Sequence, residues 1–170
     1  AVDYVGIPIT PSKYGAALSN NSRGVYTIGS GGDTIYNNNM EYITISSNSN
    51  GIDFGDQVSL NRNQAGFSDG SRGIFSGGFR PAGPAVTDEM VYLSVGTLGD
   101  AVDFGNLTQA RQYVTGASNG SRGLTAGGST APGAHSDVID YVTIGVTVTT
   151  ATDFDELSVI THGGAGVAGS

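Results

Sequence analysis

The tripeptide Asp53-Phe54-Gly55 recurs 50 residues later as Asp103-Phe104-Gly105, and a third copy, Asp153-Phe154, follows after another 50. Asp3-Tyr4 stands 50 residues before the first copy, so the same spacing reaches the N-terminal segment. Self-similarity at a fixed interval of this size is typical of a supersecondary unit that stacks against copies of itself. The sequence therefore predicts a repeat array.

Two further motifs recur at the same interval. The first is an Arg-Gly pair before an apolar residue, with its arginine at Arg23, Arg72 and Arg122. The second is a β-branched and apolar run around a tyrosine, at Tyr42, Tyr92 and Tyr141. Alternation of such residues is typical of a strand that has one side against a core. Four short strands therefore fit each interval, at about 14–20, 24–29, 38–46 and 51–60 in the first.

The composition favours an all-β chain. Glycine accounts for 28 of the 170 residues, and glycine together with β-branched residues interrupts every window long enough for a helix. We predict a single array over 1–170 of four-stranded antiparallel sheets. Its units are a partial repeat 1–13, three full repeats 14–62, 63–111 and 112–160, and a partial repeat 161–170.

The charge balance excludes two classes of partner. Fifteen acidic residues against seven basic ones give a net charge of −8, so the chain lacks the basic stripe that a nucleic-acid binder needs. An anionic membrane surface would repel it, and no apolar run approaches the roughly 18 residues of a membrane span. Charged residues make up only 13%, with Asn, Ser and Thr supplying the polarity, which favours an extracellular or virion surface. The chain has no initiator Met and no signal peptide, so we expect Ala1 to be a processed or selected start.

The recurring residues resemble kelch repeats. The kelch-like features are a diglycine at the end of one strand, a tyrosine in the next, an aromatic in the last and a basic residue after it. In this chain they are Gly77-Gly78 and Gly127-Gly128, then Tyr42, Tyr92 and Tyr141, then Phe54, Phe104 and Phe154, then Lys13, Arg62 and Arg111. The third copy has no arginine near Thr161. The wording Ser-Arg-Gly, Tyr-Ile-Thr-Ile and Asp-Phe-Gly is also similar to kelch-like arrays in tailed-phage structural proteins.

This resemblance implies four-stranded β-propeller blades and a non-enzymatic structural or adhesive role in a phage virion or another extracellular assembly. The implied partners are other copies of the chain or other structural subunits. Propellers usually have four to eight blades, so three full units predict a segment of a longer chain or an assembling subunit. Two other functions stay open: a carbohydrate-binding module, with a cell-surface glycan as ligand, and an enzyme on a propeller scaffold, which has the least support.

The recurring charged residues each have two interpretations. Arg23, Arg72 and Arg122 could recognise an acidic sugar or a carboxylate, or they could tie neighbouring repeats by binding loop carbonyls or an aspartate. We favour the tie, because repeats must contact their neighbours. Asp53, Asp103 and Asp153 could bind Ca²⁺, but they lack a clustered oxygen-ligand loop, so we expect them to cap turns.

Candidate ligand contacts are confined to loops. Asn37, Asn38 and Asn39 form a polar loop, and Tyr36, Phe67 and Phe79 could stack on sugar rings or pack between repeats. His135 and His162 do not recur and signal neither a zinc site nor a catalytic triad. The absence of cysteine excludes disulfides and thiolate metal sites. We predict no catalytic residue, no cofactor and no metal.

Overall fold

The computed structural model describes residues 13–30, 36–47, 50–81, 85–147, 149–164 and 166. Every regular element in these residues is a β-strand, and none of them belongs to a helix. The same residues accordingly contain no helix that could cross a membrane. The N-terminal partial repeat, with the exception of Lys13, and most of the C-terminal one lie outside the described residues.

The strands form three antiparallel sheets. The first contains, in spatial order, β1 (Ala17–Ser19), β2 (Arg23–Thr27), β3 (Asn39–Thr44) and β4 (Ile52–Asp56). The second contains β5 (Ala65–Ser68), β6 (Arg72–Ser76), β7 (Glu89–Ser94) and β8 (Val102–Asn106). The third contains β9 (Thr115–Ser118), β10 (Arg122–Ala126), β12 (Ala134–Thr143) and β13 (Thr152–Thr161), and the short β11 (Ser129–Ala131) pairs with β12. The all-β class and the antiparallel sheets are thereby confirmed.

The strand bounds are shorter than predicted at both ends of most strands. In the first sheet, predicted 14–20 and 51–60 become Ala17–Ser19 and Ile52–Asp56, because the flanking residues make turns and bridges to neighbouring segments. In the third sheet the last strand is the longer one, since β13 runs unbroken over 152–161. The register of the central pair is the same in all three sheets: Val25 faces Tyr42, Ile74 faces Tyr92, and Leu124 faces Tyr141.

The apolar cores lie between consecutive sheets. Between the first and second sheets, buried side chains of both form one cluster: Leu18, Val25, Met40, Phe54, Phe75, Val91, Leu93, Val95 and Ala101. Between the second and third sheets, a second cluster is formed by Phe67, Ile74, Met90, Phe104, Leu107, Val142, Ile144 and Ala151. The second sheet is thus covered on both faces, which explains why its strands do not alternate strictly between apolar and polar residues.

A ladder of backbone hydrogen bonds joins the repeats in front of their first strands. Asn63 N donates to Tyr14 O (2.9 Å), Tyr113 N to Asn63 O (2.9 Å), and Gly163 N to Tyr113 O (3.0 Å). All four residues have a left-handed backbone, with φ of 63°, 60°, 55° and 70° in chain order. Positive φ is uncommon outside glycine, so a bond at each step stabilises a conformation that the isolated chain would avoid. We call these four residues the inner ladder.

The diglycines allow one repeat to approach the next. Gly77 and Gly78 have φ of 66° and 119°, and Gly78 N donates to Arg111 O at 2.8 Å. A Cβ on Gly77 would lie 2.6 Å from that same oxygen, closer than two such atoms can approach. Gly127 and Gly128 repeat the arrangement against Thr161. Both the conformation and the contact therefore require glycine here.

Candidate functional site

Each sheet carries the same stack of an arginine, a tyrosine and a phenylalanine. The guanidinium carbon lies 4.7, 4.5 and 4.8 Å from the tyrosine ring centre in the pairs Arg23–Tyr42, Arg72–Tyr92 and Arg122–Tyr141. Each tyrosine in turn meets a phenylalanine edge to face, in the pairs Tyr42–Phe54, Tyr92–Phe104 and Tyr141–Phe154. Register within the sheet thus brings the three recurring motifs together, through cation–π and aromatic contacts.

The arginines of the first two stacks reach the following sheet. Arg23 Nη1 donates to Val95 O at 3.3 Å, and Arg72 Nη1 donates to Ile144 O at 3.0 Å and also to Val146 O. These acceptors are carbonyls of the loop after the third strand of the next repeat. Arg122 lies over Tyr141, but its side chain has no acceptor in the part of the chain that the structure describes.

The aspartates of the repeat motif cap turns in two of the three copies. Asp53 Oδ1 accepts from Gly55 N at 3.2 Å, and Asp103 Oδ1 accepts from Gly105 N at 3.1 Å. Asp153 accepts no such bond, because Asp155 replaces the glycine there. The described ion pairs are Arg80–Glu89 and Arg111–Asp140, so none of the three aspartates pairs with a repeat arginine.

The phenylalanines differ sharply in exposure. Phe54 and Phe104 are 2% and 0% exposed, because the next sheet covers them, whereas Phe154 is 51% exposed. The other residues on the same face of the third sheet are only partly buried, whereas their counterparts in the first two sheets are almost all fully buried. We call this face the trailing face, and it consists of Ala117, Leu124, Ile139 and Phe154.

The first sheet exposes the opposite face. Its residues correspond in position to those with which the second and third sheets cover the sheet before them: Gly24 to Gly73, Tyr26 to Phe75, Ile43 to Leu93, and Ile45 to Val95. Ile45 is 44% exposed, whereas Val95 and Ile144 are fully buried. These residues line a groove of about 620 Å³ that continues along the first strands to Ala117. We call Gly24, Tyr26, Ile43 and Ile45 the leading face.

The polar loop predicted to contact ligand serves its own backbone. Asn37 Oδ1 accepts from Asn39 N at 2.8 Å, and Asn38 Nδ2 donates to Gln57 O at 3.4 Å. Gln57 N donates in return to Asn38 O at 2.7 Å. These bonds direct the chain into β3, and the role of Asn37, Asn38 and Asn39 in ligand binding stays a prediction.

An arginine between the first two sheets is surrounded by aromatic rings. The Arg62 guanidinium carbon lies 5.2, 5.1 and 4.9 Å from the ring centres of Tyr14, Tyr36 and Phe79, and its Nε is buried without a hydrogen-bond partner. Tyr14 is 48% exposed. Phe67, by contrast, is buried in the second core, so it cannot stack on a ligand. This cluster was not recognised in the sequence because its members do not recur together.

The alignment of basic residues is wrong for Arg111. Bridges between Lys13 and Ser30, Arg62 and Phe79, and Gln112 and Ser129 show that Arg62 corresponds to Gln112. Arg111 corresponds instead to Asn61, and both side chains donate to the first glycine of a diglycine: Asn61 to Gly77 O at 3.0 Å and Arg111 to Gly127 O at 2.8 Å. The reason is spacing, since the basic residue follows its phenylalanine by eight positions in one copy and by seven in the next.

Arg111 and Asp140 form a fully buried ion pair. Arg111 also donates to Val138 O at 2.6 Å, and Asp140 accepts from the Thr108 hydroxyl. Burial lowers the pKa of the Arg111 guanidinium, and the Asp140 carboxylate opposes that shift. The pair lies between strands of the third sheet with no exposed surface, so its geometry suits a structural role rather than contact with substrate.

The two histidines stack on each other beside the inner ladder. The His135 and His162 ring centres lie 4.2 Å apart, and His162 lies 6.5 Å from the ring of Tyr113. Within the described residues, no group of three or more His, Asp or Glu side chains is placed to hold a metal ion.

The fold is similar to that of a solved protein, YjhT. The TM-score is 0.70 at 9% sequence identity, and the match covers 89% of this chain and 54% of that one. The chain thus spans about half the length of YjhT, and similarity at this identity concerns the fold alone. No protein-family model and no curated protein matches the chain.

Proposed function

We propose that the chain is a non-enzymatic structural or adhesive repeat module that makes protein–protein contacts in a larger assembly. In this proposal its sheets are kelch-like propeller blades, and the assembly is a phage virion or another extracellular structure. The partners are other copies of the chain or other structural subunits, and the sheet faces at the two ends of the array bind them.

The exposure of Phe154 carries this proposal. The same ring position is buried by a following sheet in both earlier copies, and burial of a phenylalanine side chain is worth about 1.5–3 kcal/mol. A contiguous apolar face that is left in water commonly marks a protein-interaction site. The trailing face therefore has the composition of an interface, and its counterparts in this chain bind protein.

The placement of the recurring side chains also supports a structural role. The first two repeat arginines bind loop carbonyls, the first two repeat aspartates cap turns, and the buried Arg111–Asp140 pair holds strands. The charged groups that recur are thus engaged in joining repeats, which is the work of a scaffold.

The native particle tests the proposal. Light scattering on material that has never been denatured should give a mass well above 17.2 kDa for the particle that contains this sequence. Hydroxyl-radical footprinting of that particle should show Phe154 protected to the level of Phe54 and Phe104. If Phe154 is oxidised in the native particle as fast as in the unfolded chain, its face is not an interface and the proposal fails.

Carbohydrate binding is a second candidate, and the cluster around Arg62 favours it. A guanidinium held between rings beside the half-exposed Tyr14 offers a stacking surface and hydrogen-bond donors to a sugar. A glycan array probed with the chain should then give saccharide signals that Tyr14→Ala abolishes. Tyr113→Ala is the matched control, because Tyr113 holds the same ladder position without an arginine. Equal loss in both variants, or an array without signal, would contradict glycan binding at this cluster.

A further inference from the structure

We infer that the trailing face of one copy binds the leading face of a second copy, so that the chain associates head to tail. This inference rests on the proposed function and commits the partner to a second copy. The two internal joints between sheets supply the template, since each pairs a trailing with a leading face.

In both internal joints an apolar side chain fits over a glycine of the next sheet. A Cβ on Gly73 would lie 2.5 Å from a methyl carbon of Leu18, and a Cβ on Gly123 would overlap the ring of Phe67. The glycine of the recurring Arg-Gly pair therefore forms a hole, and the residue at position 18 or 67 fills it. Gly24 forms the third hole, on the leading face.

The end faces match each other in size at this hole. The Tyr26 hydroxyl lies over Gly24, 3.0 Å from an ideal Cβ, and so occupies part of the hole. The trailing-face residue that would enter it is Ala117, which is smaller than Leu18 or Phe67. A small side chain thus meets the hole that is already partly filled, as close packing of an interface requires.

Polar groups at the edges of the two faces are complementary as well. Arg122 has no acceptor among the described residues, and the loop that its counterparts bind is residues 45–47 in the first sheet. Ser158 occupies the position from which Thr108 donates to Asp140, and Glu41 occupies the position of Asp140. A carboxylate accepts several hydrogen bonds, so Glu41 of the second copy can take one from Ser158.

One difference makes the joint between copies weaker than the internal ones. Gly55 and Gly105 allow the next turn to approach so closely that a Cβ on Gly55 would lie 2.5 Å from Gly99 O. Asp155 stands at this position in the third sheet and holds the outer part of the joint apart. We therefore expect reversible association. Because the two faces differ, repeated joining gives a closed ring if the rotation closes and a filament if it does not.

Two charged substitutions test the inference on the purified 170-residue chain. Phe154→Glu disables the trailing face and Ile45→Glu the leading face, and both side chains are about half exposed, so the single chain should keep its fold. Val58→Glu is the matched control, because Val58 is 52% exposed and lies on neither face. Circular dichroism checks each fold, and Ile45→Ser replaces Ile45→Glu if the glutamate disturbs the sheet.

Sedimentation over a concentration series should show the wild-type chain and Val58→Glu at 34.4 kDa (2 × 17.2) or more, and each face variant alone at 17.2 kDa. An equimolar mixture of the two face variants should return to 34.4 kDa, since each contributes one intact face. A wild-type chain that stays at 17.2 kDa, or a mixture that stays monomeric, overturns the inference. Protection of Phe154 in the native particle, despite a monomeric pure chain, would preserve the proposed function with a different partner.

Discussion

At Gly123 a single methyl group would reach the space that the Phe67 ring occupies. This glycine has no unusual backbone conformation, so its requirement comes from packing alone. The general point at the scale of residues is that the glycines of the Arg-Gly motif mark where one sheet receives a side chain of another.

Gly123→Ala should lower the free energy of unfolding by about 1–3 kcal/mol, because Phe67 must leave its position in the core. Urea unfolding measures the change. Gly145→Ala is the matched control, since an ideal Cβ there meets nothing within 4 Å, and its effect should stay within about 0.5 kcal/mol. Equal destabilisation by both variants would show that Phe67 does not rest on Gly123.

The buried pair Arg111–Asp140 offers a sharper test, because the second sheet carries Asn61 and Val91 at the same two positions. Asp140→Val alone should cost about 3–5 kcal/mol, since it leaves the buried Arg111 charge without its partner. The double variant Arg111→Asn with Asp140→Val should recover more than half of that loss. Thermal and urea unfolding compare the two, and a double variant no more stable than the single one would contradict the exchange.

At the scale of elements, the repeat arginines should differ in their contribution because only some reach a following sheet. Arg72→Ala should cost about 1–2 kcal/mol through the loss of charge-assisted bonds to Ile144 O and Val146 O. Arg122→Ala keeps every other feature of the comparison, and in dilute monomer it should cost less than about 0.5 kcal/mol. Equal costs would mean that the stack on tyrosine, rather than the tie between sheets, gives the arginine its value.

The sequence allowed the elements to be predicted far better than the faces. Strand order and the all-β class follow from the recurring motifs, because each motif falls in one strand of every sheet. The unequal burial of Phe54 and Phe154 could not be predicted, since both stand in nearly the same local sequence and only the covering sheet differs. The displacement of Arg111 relative to Arg62 was missed because a one-residue difference in spacing is invisible without the bridges that fix the register.

For the whole molecule, stability should fall from the middle of the array towards its ends. Repeat arrays behave as units that are coupled to their nearest neighbours, and only the second sheet has neighbours on both faces. Amide exchange in the Phe154→Glu monomer should therefore be at least about tenfold slower at Phe75 than at its counterparts Tyr26 and Thr125. Uniform exchange rates across the three sheets would indicate a single cooperative unit instead.

The inner ladder has a consequence for how such a chain can change over generations. Its rungs hold one residue in each repeat, at Tyr14, Asn63, Tyr113 and Gly163, and all of them lie before the first strand of a sheet. The segments between the second and third strands lie elsewhere, and they already differ: the third sheet closes this segment with the β11–β12 hairpin around Gly133. Insertions there leave the spacing of the rungs untouched. The array can therefore accept new surface loops as grafts while its sheets keep their stacking.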